Sequence, residues 1–484
     1  MFFCFRSFMV VFYFIFIIIC IIIFIIIFFF IGIHFIFFTG IKPAISTPLS
    51  LPAREESGTS RFLLAPDFSI PDCFSVDARY ESPYGPIRSS WSKKDRLVSW
   101  QVEIPANTTA QVCLPDGTLR EIGSGIHSFR SELPLRSELL DEQQFIYDSA
   151  PFPSCHASTI TELQNGDLLA AWFGGNYEGH PDVKIWTSRK KKGAGEWSAP
   201  VVAADGSFLP DSEQARIAGI TDEDKGRKAC YNPVLYQMPD GEVWLFYKIG
   251  RFVQDWTGWL VKSSDNGKTW SQKEALPDGF LGPVKNKPEL IGRRLLCPSS
   301  TEKGGWKIHF EVYDLDTKQW SRVGPIEARQ AEKTYQQGTL SSIGCIQPSI
   351  LRHADGRLQV LCRTQNGRLA TSFSSDEGLS WSAVELTDLP NNNSGTDAVT
   401  LQDGRHLLVY NPTATQPGEH RAPRTPLCVA VSSDGISWQN VLTLEDSPIS
   451  EYSYPAVIQG RDGTIHITYT WRRERIRYVK IKNI

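Results

Sequence analysis

From residue 150 to the end of the chain, apolar residues come in short runs, each opened by a tight turn, and almost no 3.6-residue apolar period runs through them. Asn165-Gly166 precedes Leu168-Leu169-Ala170-Ala171-Trp172, and Asp240-Gly241 precedes Val243-Trp244-Leu245-Phe246-Tyr247. Asp355-Gly356, Asp403-Gly404 and Asp462-Gly463 stand in the same way before runs beginning at Leu358, His406 and Ile465. Three of these strands lead into a second signature: Ser263-Ser264-Asp265-Asn266-Gly267-Lys268-Thr269-Trp270, Ser374-Ser375-Asp376-Glu377-Gly378-Leu379-Ser380-Trp381, and Ser432-Ser433-Asp434-Gly435-Ile436-Ser437-Trp438. Asp and Gly suit the tight-turn conformations, Ser and Thr tie the backbone, and Trp packs beneath. Degenerate copies end at Trp197 and Trp320. Counting turn, strand and box together gives about six units of four short antiparallel strands each, a repeat that packs radially as a six-bladed β-propeller and excludes a helical solenoid.

Residues 96–130 alternate apolar and polar positions through Leu97-Val98-Ser99-Trp100, Val102-Glu103-Ile104 and Thr108-Thr109-Ala110-Gln111-Val112, with Pro115-Asp116-Gly117 as a hairpin turn, which predicts a small antiparallel sheet. Near the start, Phe8 to Phe38 form an apolar run longer than the ~20 residues a membrane helix needs, with Arg6 before it and Lys42 and Arg54 after. Two readings stand side by side: an uncleaved anchor on an exported protein, membrane-held, periplasmic or extracellular; or, since the run is nearly all Phe and Ile without Leu, an extension upstream of the true start. The expected organisation is an apolar segment over 1–40, a linker over 41–60, a small β segment over 61–140 and the propeller over 145–484.

Composition narrows the function classes. The formal charge is −3 with both signs interspersed, so no nucleic acid or other polyanion is implied as partner. Aromatic residues make up 12% of the chain, most of them accounted for by packing between sheets. Ten cysteines are scattered without CxxC or a Cys/His cluster, which predicts mostly buried free thiols and no metal.

The repeated boxes resemble the Asp-boxes of the sialidase superfamily in its BNR-repeat form, from about Phe145 onward. Those boxes are turns remote from substrate, so they speak for fold and leave activity to the hub. The resemblance implies a chemistry without organic cofactor, in which three arginines grip the carboxylate of an acidic sugar, a Tyr activated by Glu is the nucleophile, and an Asp is the acid. Glu451-Tyr452-Ser453-Tyr454-Pro455 is similar to the nucleophile segment and puts Tyr452 on that position. Arg363, ending the strand before the second clear box, matches the second clamp arginine, and Arg424 matches the third, with Arg421 a near alternative. The segment over 96–130 resembles the C-terminal β-sandwich of bacterial α-L-rhamnosidases, where nothing is catalytic.

The departures bear on activity. Pro151-Phe152-Pro153-Ser154 stands where the family writes its first clamp arginine, and Gly344-Cys345-Ile346-Gln347-Pro348-Ser349 puts Gln347 in place of the activating Glu; an amide cannot take a proton at neutral pH. The acid-bearing loop matches 174–182 and offers Glu178, His180 or Asp182. His156 on the first inner strand is a candidate acid or base. Lys285, Asn286 and Lys287 are candidate substrate contacts, with solvent exposure of the two lysines the plainer expectation; Glu302 and Glu311, near Trp306 and His309, add carboxylates. Three readings remain: a sialidase-type hydrolase on terminal acidic sugars, a lyase or hydrolase on L-rhamnosyl-glucuronate linkages using the same clamp, and a glycan-binding propeller without catalysis.

Overall fold

A computed structural model describes residues 60–66, 68, 74–94, 97–115, 118–133, 139–331, 341–415, 422–448 and 451–482. The apolar run over 8–38, most of the expected linker and Arg421 lie outside the described residues. Among the described residues, no helix is long and apolar enough to cross a membrane.

The expected small sheet is present as part of two facing ones. Ser75–Ser82, Gly85–Lys94, Leu97–Ile104 and Gly125–Glu132 form an antiparallel sheet; Thr108–Cys113 lies between Leu119–Ile122 and Ser60–Leu64, pairing parallel with the latter. The alternation read along the chain is the packing rule: Val98, Trp100, Val102 and Ile104 are buried while Ser99 and Gln101 face out. Phe62, Leu64, Ile87, Trp91 and Val112 complete this core.

Six four-stranded antiparallel sheets follow. The first runs through Ser154–Glu162, Leu168–Gly175, Lys184–Lys190 and Val201–Ala204. The next four open on Ala229–Gln237, Glu289–Ile291, Cys345–Arg352 and Asp397–Thr400. The sixth consists of Tyr452–Gln459, Ile465–Trp471 and Arg475–Ile481, with its fourth place filled by Leu140–Phe145, a strand from the other end of this region. The opening strands are neighbours: Ser154–Glu162 contacts both Ala229–Gln237 and Tyr452–Gln459, and Cys345–Arg352 contacts Asp397–Thr400. This all-β arrangement of repeated four-stranded sheets is that of a sialidase-type propeller.

The boxes are built as their residues demand. Asp265 accepts from Lys268 N, Thr269 N and Thr269 Oγ1, while Ser263 Oγ accepts from Gly267 N. Asp376 and Asp434 repeat the pattern, and these donors hold both carboxyls down at about 2. Strand direction alternates, so all these turns lie at one end of the sheets. The connections between second and third strands, and those from one sheet to the next, lie at the other end, where most of the described candidate residues fall.

The described cysteines are free thiols, buried except for the partly exposed Cys113.

Candidate active site

A recurring backbone irregularity positions the site. In four of the six opening strands the register slips so that two residues oppose one: Ala157-Ser158 against Trp172, Asn232-Pro233 against Tyr247, Gln347-Pro348 against Cys362, and Tyr454-Pro455 against Tyr469. The first residue of each bulge is left-handed, with φ of 54°, 38°, 57° and 51°. Non-glycine residues hold that conformation at a cost of about 1–3 kcal/mol, which concentrates at functional sites, and a bulge re-aims a side chain. Proline fits the second place in three of them because the bulged residue needs no ladder hydrogen. Gln347 and Tyr454, set on separate sheets, are thereby turned to the same point: Gln347 Nε2 lies 3.4 Å from the Tyr454 hydroxyl.

Tyr454 is the hub of the cluster, and Tyr452 is not part of it. The Tyr452 ring packs in the apolar core with Trp471 and Val457, its hydroxyl meets only Arg472 at 3.3–3.4 Å among charged groups, and burial pushes its phenol up to about 12. The bulge thus turns Tyr454, two residues beyond Tyr452, toward the cluster.

Around Tyr454 the structure gathers charge. Arg363 Nη1 donates to the hydroxyl at 2.5 Å and Arg363 Nε to Asn393 Oδ1 at 2.9 Å, while its guanidinium lies 5.1 Å from the Trp306 ring. The Arg363 and Arg424 guanidinium carbons stand 5.7 and 5.5 Å from the Tyr454 ring centre. Arg424 Nη1 donates to Glu451 Oε1 at 3.0 Å. That same oxygen accepts from Arg473 Nε at 2.7 Å and Ser453 Oγ at 2.8 Å. Burial works against the Glu451 carboxylate, but Arg424 and Arg473 hold it below the usual range.

His156 faces Tyr454 from the first sheet, ring centres 4.1 Å apart. Its Nδ1 is 2.8 Å from Thr470 Oγ1, which also accepts from Ala157 N, and its buried Nε2 has no hydrogen-bond partner among the described residues. Burial first, then Arg473, Arg424, Arg363 and Lys285, push the imidazole well below its ordinary range, so the ring is neutral at neutral pH.

Lys285 is buried, contrary to the expected solvent exposure. Its ammonium donates to Asn286 Oδ1, Thr396 O and Pro455 O, tying together segments that enter three sheets, and burial brings it down to about 7. Asn286 Nδ2 donates to Gln347 O at 2.9 Å. Lys287 is likewise enclosed, its ammonium 3.0 Å from both oxygens of the buried Asp397. The polar stretch 391–397 walls this floor, and a Cβ on Gly395 would meet Gln347 Oε1 at 3.0 Å and Lys285 Cε at 3.3 Å.

The remaining candidates separate. Glu178 joins the cluster, accepting from Arg473 Nη1 at 2.5 Å. Asp182 turns back into its own loop, accepting from Asn176 N and lying 2.7 Å from His180 Nδ1, so neither it nor His180 reaches the hub. Glu302 sits beside Arg363, accepts from Trp306 Nε1 at 3.1 Å, and is raised by burial. Glu311 is a buried tie within the third sheet, accepting from Leu281 N, Gly282 N and Arg322 and lying 3.0 Å from His309 Nε2; it and His309 are structural. Arg473, Glu451 and Tyr454 are the residues that the motif reading missed. The bulge-forming Xaa-Pro pairs at 232, 347 and 454 were the available signal for Tyr454; nothing local marks Arg473.

Comparison with known proteins bears on the fold. Residues 166–467 match the family model described as BNR repeat-like domain, and residues 52–128 match that of the bacterial alpha-L-rhamnosidase C-terminal domain. No curated protein matches the chain. Among solved structures it is similar to the NanB sialidase of Streptococcus pneumoniae, at 13% identity and TM-score 0.51 over 82% of this chain and 83% of that one. A leech intramolecular trans-sialidase, complexed with 2,7-anhydro-Neu5Ac, is similar at 12% identity and TM-score 0.53 over 84% of each chain. A protein of unknown function from Dyadobacter fermentans is similar at 14% identity and TM-score 0.54, over 71% of this chain and 99% of that one. At these identities the likeness is one of fold.

Proposed function

The chain belongs to the BNR repeat-like domain family, and from that premise we propose that it is a sialidase-type glycoside hydrolase acting on the terminal acidic sugar of a glycan. The six sheets over 140–481 are read as six blades, with the substrate bound at their common hub. The carrying observation is the placement of two guanidinium groups, Arg363 and Arg424, within 5.7 and 5.5 Å of the Tyr454 ring centre. Planar guanidinium matches a carboxylate bidentately, and a carboxylate on the anomeric carbon would repel a carboxylate nucleophile, which makes a phenol the suitable attacking group.

In this reading Tyr454 oxygen forms a bond to the anomeric carbon as the bond to the leaving oxygen breaks, and water then releases the sugar. Gln347 occupies the place of a base and cannot accept the phenol proton, which passes to water as the new bond forms, while Arg363 and Gln347 donate hydrogen bonds to the attacking oxygen. Glu302, raised by burial beside Arg363, is the candidate acid for the leaving oxygen.

A second reading is favoured by one specific observation, the unpartnered Nε2 of a neutral His156 next to Tyr454. A neutral imidazole can remove the C5 proton of a clamped uronate, with expulsion of the 4-linked residue. The discriminating experiment incubates the protein with sialyl, glucuronyl and rhamnosyl-glucuronyl glycans and records product mass. A released sugar heavier by one water supports hydrolysis. An unsaturated uronate absorbing in the ultraviolet replaces it with elimination. Binding with neither product leaves a non-catalytic glycan-binding propeller.

A further inference from the structure

The first opening strand carries no arginine where a third clamp member is expected, since Pro153 and Ser154 stand there. The space beside that strand is filled from elsewhere. Arg473, in the hairpin between Ile465–Trp471 and Arg475–Ile481, accepts at its carbonyl from Cys155 N across 2.7 Å, which pins the hairpin against the residue next to His156. Both hairpin residues, Arg472 and Arg473, are left-handed, at φ 54° and 62°. A pair of non-glycine residues held so is a strained turn maintained by its surroundings.

Two of the three guanidinium nitrogens are held by carboxylates. Nε is fixed by Glu451 Oε1, the oxygen that also holds Arg424, so the two arginines are set by one carboxylate. Nη1 is taken by Glu178 from the loop of the first sheet, and Nη2 has no partner among the described residues. Glu178 is the exposed member of the pair, with 45% of its side chain open to solvent against 29% for Arg473. Counting the hub, the cations Arg363, Arg424, Arg473 and Lys285 face the carboxyls of Glu451, Glu302 and Glu178, so positive charge is in excess before any ligand arrives. Removal of Glu178 deepens that excess.

We propose that Arg473 supplies the third guanidinium of the clamp, and that the carboxylate of an acidic sugar takes the Nη edge of Arg473 now held by the partly exposed side chain of Glu178. Glu178 is then a placeholder: it neutralises Arg473 in the empty site and competes with the ligand. Specificity follows, because a neutral sugar offers nothing to replace the lost ion pair. This inference rests on the acidic-sugar reading of the site.

The test measures binding of free N-acetylneuraminic acid and D-glucuronic acid, with glucose as neutral control, by calorimetry on the full chain. Arg473→Lys keeps the charge and loses the fork; it is expected to weaken the acid that binds by about tenfold or more, the scale of one charge-assisted bidentate contact. Glu178→Gln is expected to tighten the same acid several-fold and leave glucose unchanged. Thermal melting checks that each variant folds, and Arg473→Gln serves if the lysine variant does not. If Arg363→Lys weakens the acid while Arg473→Lys and Glu178→Gln leave it as in the wild type, the role of Arg473 is overturned and the acidic-sugar reading stands. If neither acid binds better than glucose, the reading itself falls and takes this inference with it.

Discussion

The amide of Gln347 and the hydroxyl of Tyr454 meet 3.4 Å apart although 107 residues separate them, because each is the first residue of a bulge in its own sheet. The encounter puts Tyr454 where the proposed chemistry needs a phenol and gives it a partner that cannot be a base.

Tyr454→Phe is accordingly expected to lower kcat by about 10³-fold or more, the scale seen when a nucleophile or an oxyanion contact is removed. Tyr452→Phe is expected to keep activity within about twofold and to cost roughly 1 kcal/mol of stability, since it removes long hydrogen bonds from Arg472 and a hydrogen bond with Ser447. Steady-state assays of the two variants side by side decide the matter; loss in Tyr452→Phe alone would return the role to Tyr452.

Gln347→Glu restores a carboxylate beside the hydroxyl, in a pocket where Arg363 and Lys285 offset its charge. Hydrolysis is expected to rise by about tenfold or more, with a new acid limb in the pH profile. No gain on any acidic glycan would argue that proton transfer to this position is not the missing element.

Fold and site were unequally legible in the sequence. The boxes at Asp265, Asp376 and Asp434 are local chemistry, donors and acceptors within five residues, so their spacing announced the sheets. Arg363 and Arg424 were legible because each adjoins a strand that leads to a box. Tyr452 was singled out by the similarity of the segment 451–455, whereas the bulge that brings Tyr454 to the cluster is marked only by the following proline. The burial of Lys285 was hidden because its acceptors, Thr396 O and Pro455 O, lie 111 and 170 residues away. Arg473 belongs to no motif, and its carboxylate partners come from two different sheets.

Asp376→Ala removes an acceptor for Ser374 Oγ, Ser380 N and Ser380 Oγ. About 2 kcal/mol of stability is expected to go with it. Because this turn lies at the end of the sheets away from the hub, kcat/KM of the folded protein is expected to stay unchanged. A drop in kcat/KM at temperatures well below melting would show that the boxes and the hub are coupled.

Acid is expected to weaken the fold through buried histidines. Burial lowers His406 and His466 to about 4 and pushes His156 down as well. Their folded values lie below the unfolded one near 6.5, so the unfolded chain binds more protons between about pH 6.5 and 4. Stability is whole above that window and falls as pH drops through it, by about 1.4 kcal/mol per pH unit for each histidine. Denaturant titration at pH 7 and pH 5 measures the slope, and His466→Gln should reduce it by one histidine's share. A stability equal at both pH values would count against neutral buried rings.

The sixth sheet joins Leu140–Phe145 to strands that a ribosome delivers more than 300 residues later. Glu451, Tyr454 and Arg473 all belong to that late portion. A nascent chain therefore carries Arg363 and Arg424 before it has the phenol that stands near them or the carboxylate that accepts from Arg424. The cluster is completed only when the last strands pair with Leu140–Phe145, and a chain clipped ahead of residue 451 keeps Arg363 and Arg424 but lacks Glu451, Tyr454 and Arg473.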